Sequence, residues 1–201
     1  MHYPNTILDL IQCFKKYPSI GEKTAERLAL YTLNLDDSII ELMANSLNNI
    51  KTKIKKCKIC NNYTEDDICY ICNSNRDSKL LCIVESAKDI NLLEKNNIYN
   101  GYYFVLDNLI SPSNGLDPSV INFERIIELI KNNNVKEIII AIKPTVDGET
   151  TSMYISKLLE DYDVVVSRIA LGIPIGAEID YVDSLTLEMA IENRKVINGK
   201  K

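Results

Sequence analysis

The feature that most constrains this chain is a pair of closely spaced cysteine motifs. Cys57 and Cys60 form one CxxC pair, Cys69 and Cys72 form a second, and eight residues separate the two pairs. This spacing is typical of a structural zinc site with four thiolate ligands, because each tight turn directs two sulfur atoms at one ion. The intervening residues are largely polar and could not bury themselves, whereas zinc supplies roughly 10–16 kcal/mol in small zinc peptides. We therefore predict one structural zinc ion per chain; a redox dithiol or two chance CxxC pairs is the alternative interpretation.

Length and composition indicate a globular chain with one sizeable domain and a smaller one. The chain has 201 residues, of which 46% are hydrophobic and 25% are charged. The N-terminus has neither the basic region nor the apolar run of a signal peptide, and no apolar stretch is long enough to cross a membrane. Outside the two motifs, Cys13 and Cys82 lie in apolar patterns and are expected to be small core residues. This cysteine usage predicts a reducing, cytoplasmic location.

The charge is unevenly distributed along the chain. The formal net charge is −5, yet the first 60 residues carry nine Lys and Arg against six Asp and Glu. This asymmetry predicts that the amino-terminal part faces an anionic partner; a basic face that is merely solvated explains the charges equally well.

The amino-terminal part shows helical periodicity in three segments. Apolar residues at helical spacing predict helices over residues 6–16, 22–35 and 37–56, and Pro18 ends the first of them. The third helix has an apolar face, formed by Ile39, Ile40, Leu42, Met43, Leu47 and Ile50. Its cationic end, residues 51–56, suits the negative end of a helix dipole and could equally contact phosphate.

The turn between the first two helices is a candidate nucleic-acid site. Residues 17–27 resemble a helix-hairpin-helix motif, whose hairpin and second helix offer backbone N–H groups to a phosphate. Lys23 lies in the first turn of the second helix, and Arg27 shares its face. Such contacts grip the backbone and carry no base information. The usual motif has a glycine where this chain has Ser19, and an ordinary helical turn is the alternative.

After the cysteine motifs the pattern changes to alternating strands and helices. Strands are predicted over residues 80–84, 102–106, 137–142 and 164–169, with helices over 86–96, 119–132 and 149–161 between them. This alternation predicts an α/β fold, an open parallel sheet with helices on both faces. A Gly/Pro loop at 172–176 then leads into a short helix over 186–192.

Acidic residues follow two of the predicted strands. Glu85 comes directly after the first strand, and Asp147 and Glu149 come after the third. Ligands bind at the carboxyl ends of strands in such sheets, and the arrangement resembles the Toprim fold. Active Toprim proteins carry a DxD pair that helps to hold Mg²⁺, but the matching positions here are Lys143 and Thr145. The fold is therefore expected to be kept and the metal site lost, although acids that merely cap a helix are an alternative for Asp147 and Glu149. The chain has no phosphate-binding GxxxxGK[ST] motif, so an ATPase is not predicted.

The order of these motifs resembles the RecR family of bacterial recombination mediators over essentially the whole chain. The resemblance implies a helix-hairpin-helix DNA-binding region at 1–56, a four-cysteine zinc finger at 57–72, a Toprim domain at 79–170 and a C-terminal Gly/Pro motif and oligomerisation segment at 171–201. Its sharpest matches are residues 18–27, 57–72, 83–86, 144–149 and 168–183. The chain departs from the family at several positions. Ser19 stands where the hairpin usually has a glycine, Lys143 where Asn is usual, and Asn114 where Asp is usual. Asp107–Asn108 stands where a glycine is usual.

The resemblance also implies a function without catalysis. It predicts a DNA-repair protein that forms a ring, expected to be a tetramer, binds single- and double-stranded DNA, and works with RecO, and in some organisms RecF, to load RecA onto SSB-coated single strands. Lys23 and Arg27 match DNA-contacting residues, and Glu85, Asp147 and Glu149 match the surface that meets RecO. The location implied is the cytoplasm, with nucleoid association during repair and no membrane partner. The competing predictions are a metal-dependent Toprim nuclease or primase-like enzyme using these three acids, and a zinc-stabilised protein-interaction adaptor that does not contact DNA.

Overall fold

The computed structural model describes residues 2–197 and divides the chain into two compact units. One unit extends to Ile54, here called the helical unit, and the other begins at Lys55, here called the sheet unit. The helical unit contains three helices: α1 (Asn5–Phe14), α2 (Glu22–Thr32) and α3 (Asp37–Lys53). All three predicted helices are therefore present, each ending two or three residues earlier than its periodicity suggested.

The core of the helical unit lies between α1 and α2. Ile11 of α1 is buried against Ala25 and Ala29 of α2, whose small side chains let the two helices approach closely. By contrast, no residue of α3 is buried, and Leu42 and Leu47 are 65% and 56% exposed. The sequence pattern identified the apolar face of α3 correctly, but nothing within residues 2–197 buries it. Cys13, expected in the core, is exposed, so that prediction is wrong.

The sheet unit opens with the cysteine motifs and a small hairpin. Residues predicted to end the third helix instead form β1 (Lys55–Lys56), which pairs antiparallel with β2 (Tyr63–Thr64). This pairing ends α3 at Lys53 and holds the first CxxC turn between two short strands.

A four-stranded parallel sheet forms the centre of the sheet unit. Its strands are β3 (Asp77–Val84), β4 (Gly101–Val105), β5 (Glu137–Ala141) and β6 (Val165–Arg168), in the order β4-β3-β5-β6. The helices are α4 (Ala87–Lys95), α5 (Phe123–Asn133), α6 (Val146–Leu158) and α7 (Ser184–Glu192). The predicted fold class is confirmed. The last strand is followed by a segment, residues 169–197, in which no residue is buried.

The two faces of the sheet are covered by different kinds of structure. On one face, Ile83 and Ile138 pack with apolar residues of α5 and with Ile155 of α6. On the other face, α4 covers only part of the sheet, and the segment that carries the cysteine motifs covers the rest. The buried side chains of that second face include Cys57, Cys60, Cys69, Ile71, Cys82, Val84, Ile90, Tyr103 and Val105. Cys82 is thus a core residue, as predicted. Within residues 2–197 no helix is long and apolar enough to cross a membrane.

Candidate functional site

The four motif cysteines converge on one point. Their Sγ atoms all lie within 4.8 Å of one another, with Cys57 and Cys72 3.9 Å apart and Cys60 and Cys69 3.5 Å apart. Tetrahedral zinc with Zn–S bonds near 2.3 Å places its sulfur ligands about 3.8 Å apart, so the observed spacing fits this ion. The backbone N–H groups of Ile59 and Cys69 donate to the Cys57 sulfur at 3.4 and 3.3 Å. The protein therefore has a structural centre for one zinc ion.

Several hydrogen bonds join the zinc centre to the sheet. The carbonyl of Cys60 accepts from the backbone N–H of Val105 in β4 at 2.9 Å. Arg125 of α5 donates to the carbonyls of Cys57, at 2.9 Å, and of Lys58. The sequence motif predicted the zinc ligands but not these supports, because Arg125 lies far along the chain and nothing in its local pattern marks it.

Asp107 makes a further link between the zinc centre and the sheet. Its backbone φ is 64°, in the left-handed region, two residues after the end of β4. Its carboxylate accepts from Lys56 Nζ at 2.6 Å and from Asn61 Nδ2 at 2.7 Å. The departure from glycine at this position was visible in the sequence, but these contacts were not.

The hairpin of the helical unit exposes the two predicted DNA-contacting cations. Lys23 and Arg27 lie one turn apart on α2 and are both exposed. The nearby acids are engaged elsewhere, since Glu22 pairs with Lys15 and Glu26 accepts from the hydroxyl of Tyr3 at 2.8 Å. Neither Lys23 nor Arg27 has a carboxylate partner among residues 2–197, and no side chain caps the helix before them. Their charges and the first N–H groups of α2 are available to an anion.

The lysines that follow α3 are paired with carboxylates, unlike Lys23 and Arg27. Lys55 and Lys58 share the carboxylate of Asp67, at 2.7 and 2.5 Å, and together they lower the pKa of that carboxyl to about 2. Lys56 pairs with Asp107. Lys55, Lys56 and Lys58 are therefore neutralised within the fold, whereas Lys51 and Lys53 at the end of α3 have no carboxylate partner among the described residues, a difference that composition alone could not reveal.

The predicted acids lie at the carboxyl end of the sheet but do not form a metal cluster. Glu85 follows β3 and accepts from Lys143 Nζ at 2.7 Å. Glu149, on α6, pairs with Arg168 at the end of β6. Asp147 alone of the three makes no side-chain hydrogen bond or ion pair within the described part of the chain. Among residues 2–197 the only close group of three or more metal-ligating side chains is the four cysteines.

The start of α6 explains the placement of two of these acids. The helix begins at Val146, three residues before the predicted start, because the Thr145 side chain caps it by accepting from Gly148 N at 3.2 Å. Asp147 and Glu149 therefore lie in the first helical turn, where the positive end of the helix dipole stabilises their negative charges. The capping role considered for them belongs to Thr145.

Comparisons with known proteins agree along the chain. Models of four families match: the helix-hairpin-helix of RecR at residues 7–51, the four-cysteine zinc finger domain of RecR at 54–74, the Toprim domain at 79–170 and the C-terminal part of RecR at 172–195. A "Recombination protein RecR" of Streptococcus agalactiae serotype V is 49% identical over 195 residues, covering 96% of this chain and 98% of that protein. Proteins of the same name from Clostridium perfringens strain 13 and Lactococcus lactis subsp. cremoris strain MG1363 are 46% and 42% identical, over 97% and 96% of this chain and 98% of each relative.

Proposed function

Because the chain belongs to the RecR family of recombination proteins, we propose that it is a DNA-binding mediator of recombinational repair with no catalytic activity of its own. In this proposal it works with RecO, and with RecF in some organisms, to load RecA onto single strands coated by SSB. It acts in the cytoplasm and associates with the nucleoid during repair. The observation that carries the proposal is the exposed pair Lys23 and Arg27 beside the uncapped start of α2.

DNA binding in this proposal depends on the sugar-phosphate backbone. The guanidinium of Arg27 and the ammonium of Lys23 contact phosphates, while backbone N–H groups at the start of α2 donate hydrogen bonds to a further phosphate oxygen. These contacts do not distinguish base sequences, and they serve both single- and double-stranded DNA. Their strength falls as salt rises, because binding releases counterions.

Ring formation gives these few contacts a useful affinity. One chain offers only two such cations at the hairpin, and a ring, expected to contain four chains, multiplies them. The unburied apolar face of α3 supports an interface between copies of the chain, since exposed apolar patches mark such surfaces. The segment from residue 171 onward supports a second interface; none of its described residues is buried, and its last four residues lie outside the described part.

The contact with RecO is proposed at the carboxyl end of the sheet. Of Glu85, Asp147 and Glu149, only Asp147 has a carboxylate without an internal cation in the described residues. A basic partner would therefore bind Asp147 directly and compete with Lys143 and Arg168 for the other two acids.

The DNA contact is tested by fluorescence anisotropy on single-stranded and duplex DNA across a series of salt concentrations. The double variant Lys23→Ala/Arg27→Ala should weaken binding and lower the salt slope by about 0.7 for each lost contact on single strands. The control, Lys88→Ala/Lys157→Ala, removes the same charge from exposed helix positions of the sheet unit and should leave the slope unchanged. Equal effects of the two double variants would refute the hairpin assignment.

A metal-dependent Toprim enzyme has less support from the geometry. Two of the three acids that it requires are paired with Lys143 and Arg168, and the three carboxylates do not form a close group. Mg²⁺-dependent cleavage of DNA that survives repurification and disappears in Glu85→Gln would contradict the proposal of a non-catalytic mediator.

A further inference from the structure

Lys143 and Glu85 lie at the carboxyl ends of the two central strands. β3 and β5 are parallel neighbours, with Val84 opposite Ala141, so the residues that follow them emerge at the same end of the sheet. Lys143 Nζ is 2.7 Å from Glu85 Oε1, a charge-assisted hydrogen bond. The Glu85 side chain is 27% exposed, and Lys143 is the only cation paired with it among the described residues.

Two further acids add to the electrostatic stabilisation of the same ammonium. The Glu85 carboxylate raises the pKa of Lys143 above its ordinary value, and Asp147 and Asp89 add to this effect. Asp89 is engaged in the capping box of α4, where it accepts from Ser86 N at 2.8 Å and Ser86 Oγ at 2.9 Å. Asp147 has no side-chain partner of its own in the described residues, and it lies in the first turn of α6, four residues after Lys143.

The arrangement has the chemistry of a cation site that is already filled. The carboxyl ends of parallel strands are where α/β proteins bind ligands, and carboxylates there suit Mg²⁺, which commonly uses one or two of them together with water. A lysine ammonium supplies positive charge and three hydrogen-bond donors at the same place on a covalent tether. A free divalent ion would have to displace it and would be repelled by it.

We propose that Lys143 is a tethered cation that takes the place of a divalent metal ion at this end of the sheet. Neutralising its side chain opens a site for one divalent ion between Glu85 and Asp147, with water completing the coordination. This role is separate from DNA binding by the hairpin, so either idea can fail without the other.

The chain provides a matched control for the experiment. Lys136 precedes β5, at the opposite end of the same strand, and its Nζ is 2.7 Å from Asp163 Oδ2. Lys136→Gln therefore removes the same charge and the same kind of ion pair from the same strand. Lys143→Arg keeps the positive charge at the proposed site.

The experiment measures Mn²⁺ binding to the zinc-loaded full chain, from the electron paramagnetic resonance signal of free Mn²⁺. Lys143→Gln is expected to bind one Mn²⁺ at least about tenfold more tightly than the unmodified protein, because a nearby like charge is removed. Lys136→Gln and Lys143→Arg should bind no more tightly than the unmodified protein, and Lys143→Gln/Glu85→Gln should lose the gain. Should Lys143→Gln fail to fold, Lys143→Met makes the same test. No gain in the neutral variant, an equal gain in Lys136→Gln, or a gain that survives the loss of Glu85 would overturn the proposal.

Discussion

At the scale of single residues, two of the five described non-glycine residues with a left-handed backbone stand where the family usually has a glycine. Ser19 in the hairpin has φ 65° and Asp107 has φ 64°, both in the left-handed region. Asp107 compensates through its contacts with Lys56 and Asn61, whereas the Ser19 side chain makes no hydrogen bond in the described residues. The same departure from glycine therefore has different consequences at the two positions.

We predict that Ser19→Gly stabilises the helical unit by about 0.5–1 kcal/mol, because glycine adopts a left-handed backbone without steric cost. Asp107→Gly should instead destabilise the sheet unit, since it removes the side-chain contacts with Lys56 and Asn61 in the zinc segment, defined here as residues 55–76. Urea denaturation followed by circular dichroism measures both changes. Destabilisation by Ser19→Gly would show that the hairpin does not hold this conformation.

A second residue-scale feature is the ion pair between Arg76 and Glu94. Both guanidinium Nη atoms donate to the Glu94 carboxylate, which also accepts from the Tyr103 hydroxyl at 2.7 Å. The two charged side chains are 12% and 18% exposed, and Arg76 lowers the pKa of Glu94. These contacts join Arg76, at the end of the zinc segment, to Glu94 of α4 and, through Glu94, to Tyr103 of β4.

Glu94→Gln should destabilise the sheet unit by about 2–3 kcal/mol, because it leaves the Arg76 charge largely buried without its carboxylate. Asp163→Asn is the control, because that carboxylate pairs with Lys136 but is 96% exposed. The control should leave the denaturation midpoint unchanged. Equal midpoints for the two variants would mean that the Arg76 pair contributes nothing beyond an exposed one.

At the scale of elements, the start of α6 depends on close backbone packing. A Cβ added to Gly148 would overlap the carbonyl oxygen of Lys143 and would lie 3.2 Å from a methyl group of Ile142. Because Gly148 has no side chain, the first turn of α6 can pack closely against the backbone of Lys143, which follows β5. Sequence propensity alone would not predict this, since alanine favours a helix more than glycine does.

Gly148→Ala should destabilise the sheet unit by about 1–3 kcal/mol, because the clash with backbone cannot be relieved by a side-chain rotation. Gly172→Ala is the control, as no atom lies within 4 Å of its added Cβ and its backbone is not left-handed. Thermal unfolding of both variants measures the difference. A Gly148→Ala protein as stable as the control would show that α6 starts elsewhere.

At the scale of the whole molecule, the zinc segment is part of the sheet's core. Cys57, Cys60, Cys69 and Ile71 are buried in the same cluster as Tyr103 and other residues of the sheet. Zinc removal is expected to unfold residues 57–72, because the metal supplies the stabilisation that their largely polar side chains cannot. The packing extends this prediction, because losing the segment would expose one face of the sheet to water.

Cys60→Ser should reduce the zinc content to well under one equivalent and destabilise the whole sheet unit, whereas Cys13→Ser should retain one zinc. Metal analysis gives the stoichiometry, and hydrogen exchange at the amide of Val105, which bonds to the Cys60 carbonyl, reports on the sheet. Slow exchange at Val105 in a zinc-free protein would show that the sheet is stable without the segment.

The local features of this protein could be predicted from its amino-acid sequence. The cysteine spacing specifies the zinc ligands, and the period of apolar residues specifies the helices and strands, because both are set by neighbours along the chain. The positions of Lys23, Arg27 and Glu85 relative to these elements follow from the same patterns. Element ends were less predictable; α6 begins early because of the Thr145 cap, and α3 ends early because β1 pairs with β2.

Which charges are available and which apolar faces are covered depends on how the separate elements pack together. Lys143 neutralises Glu85 from 58 residues away, and Arg125 supports Cys57 from 68 residues away. Such pairs form when separate elements pack together, so no local pattern encodes them. For the same physical reason, the pattern of α3 predicted an apolar face but could not say that residues 2–197 leave it exposed.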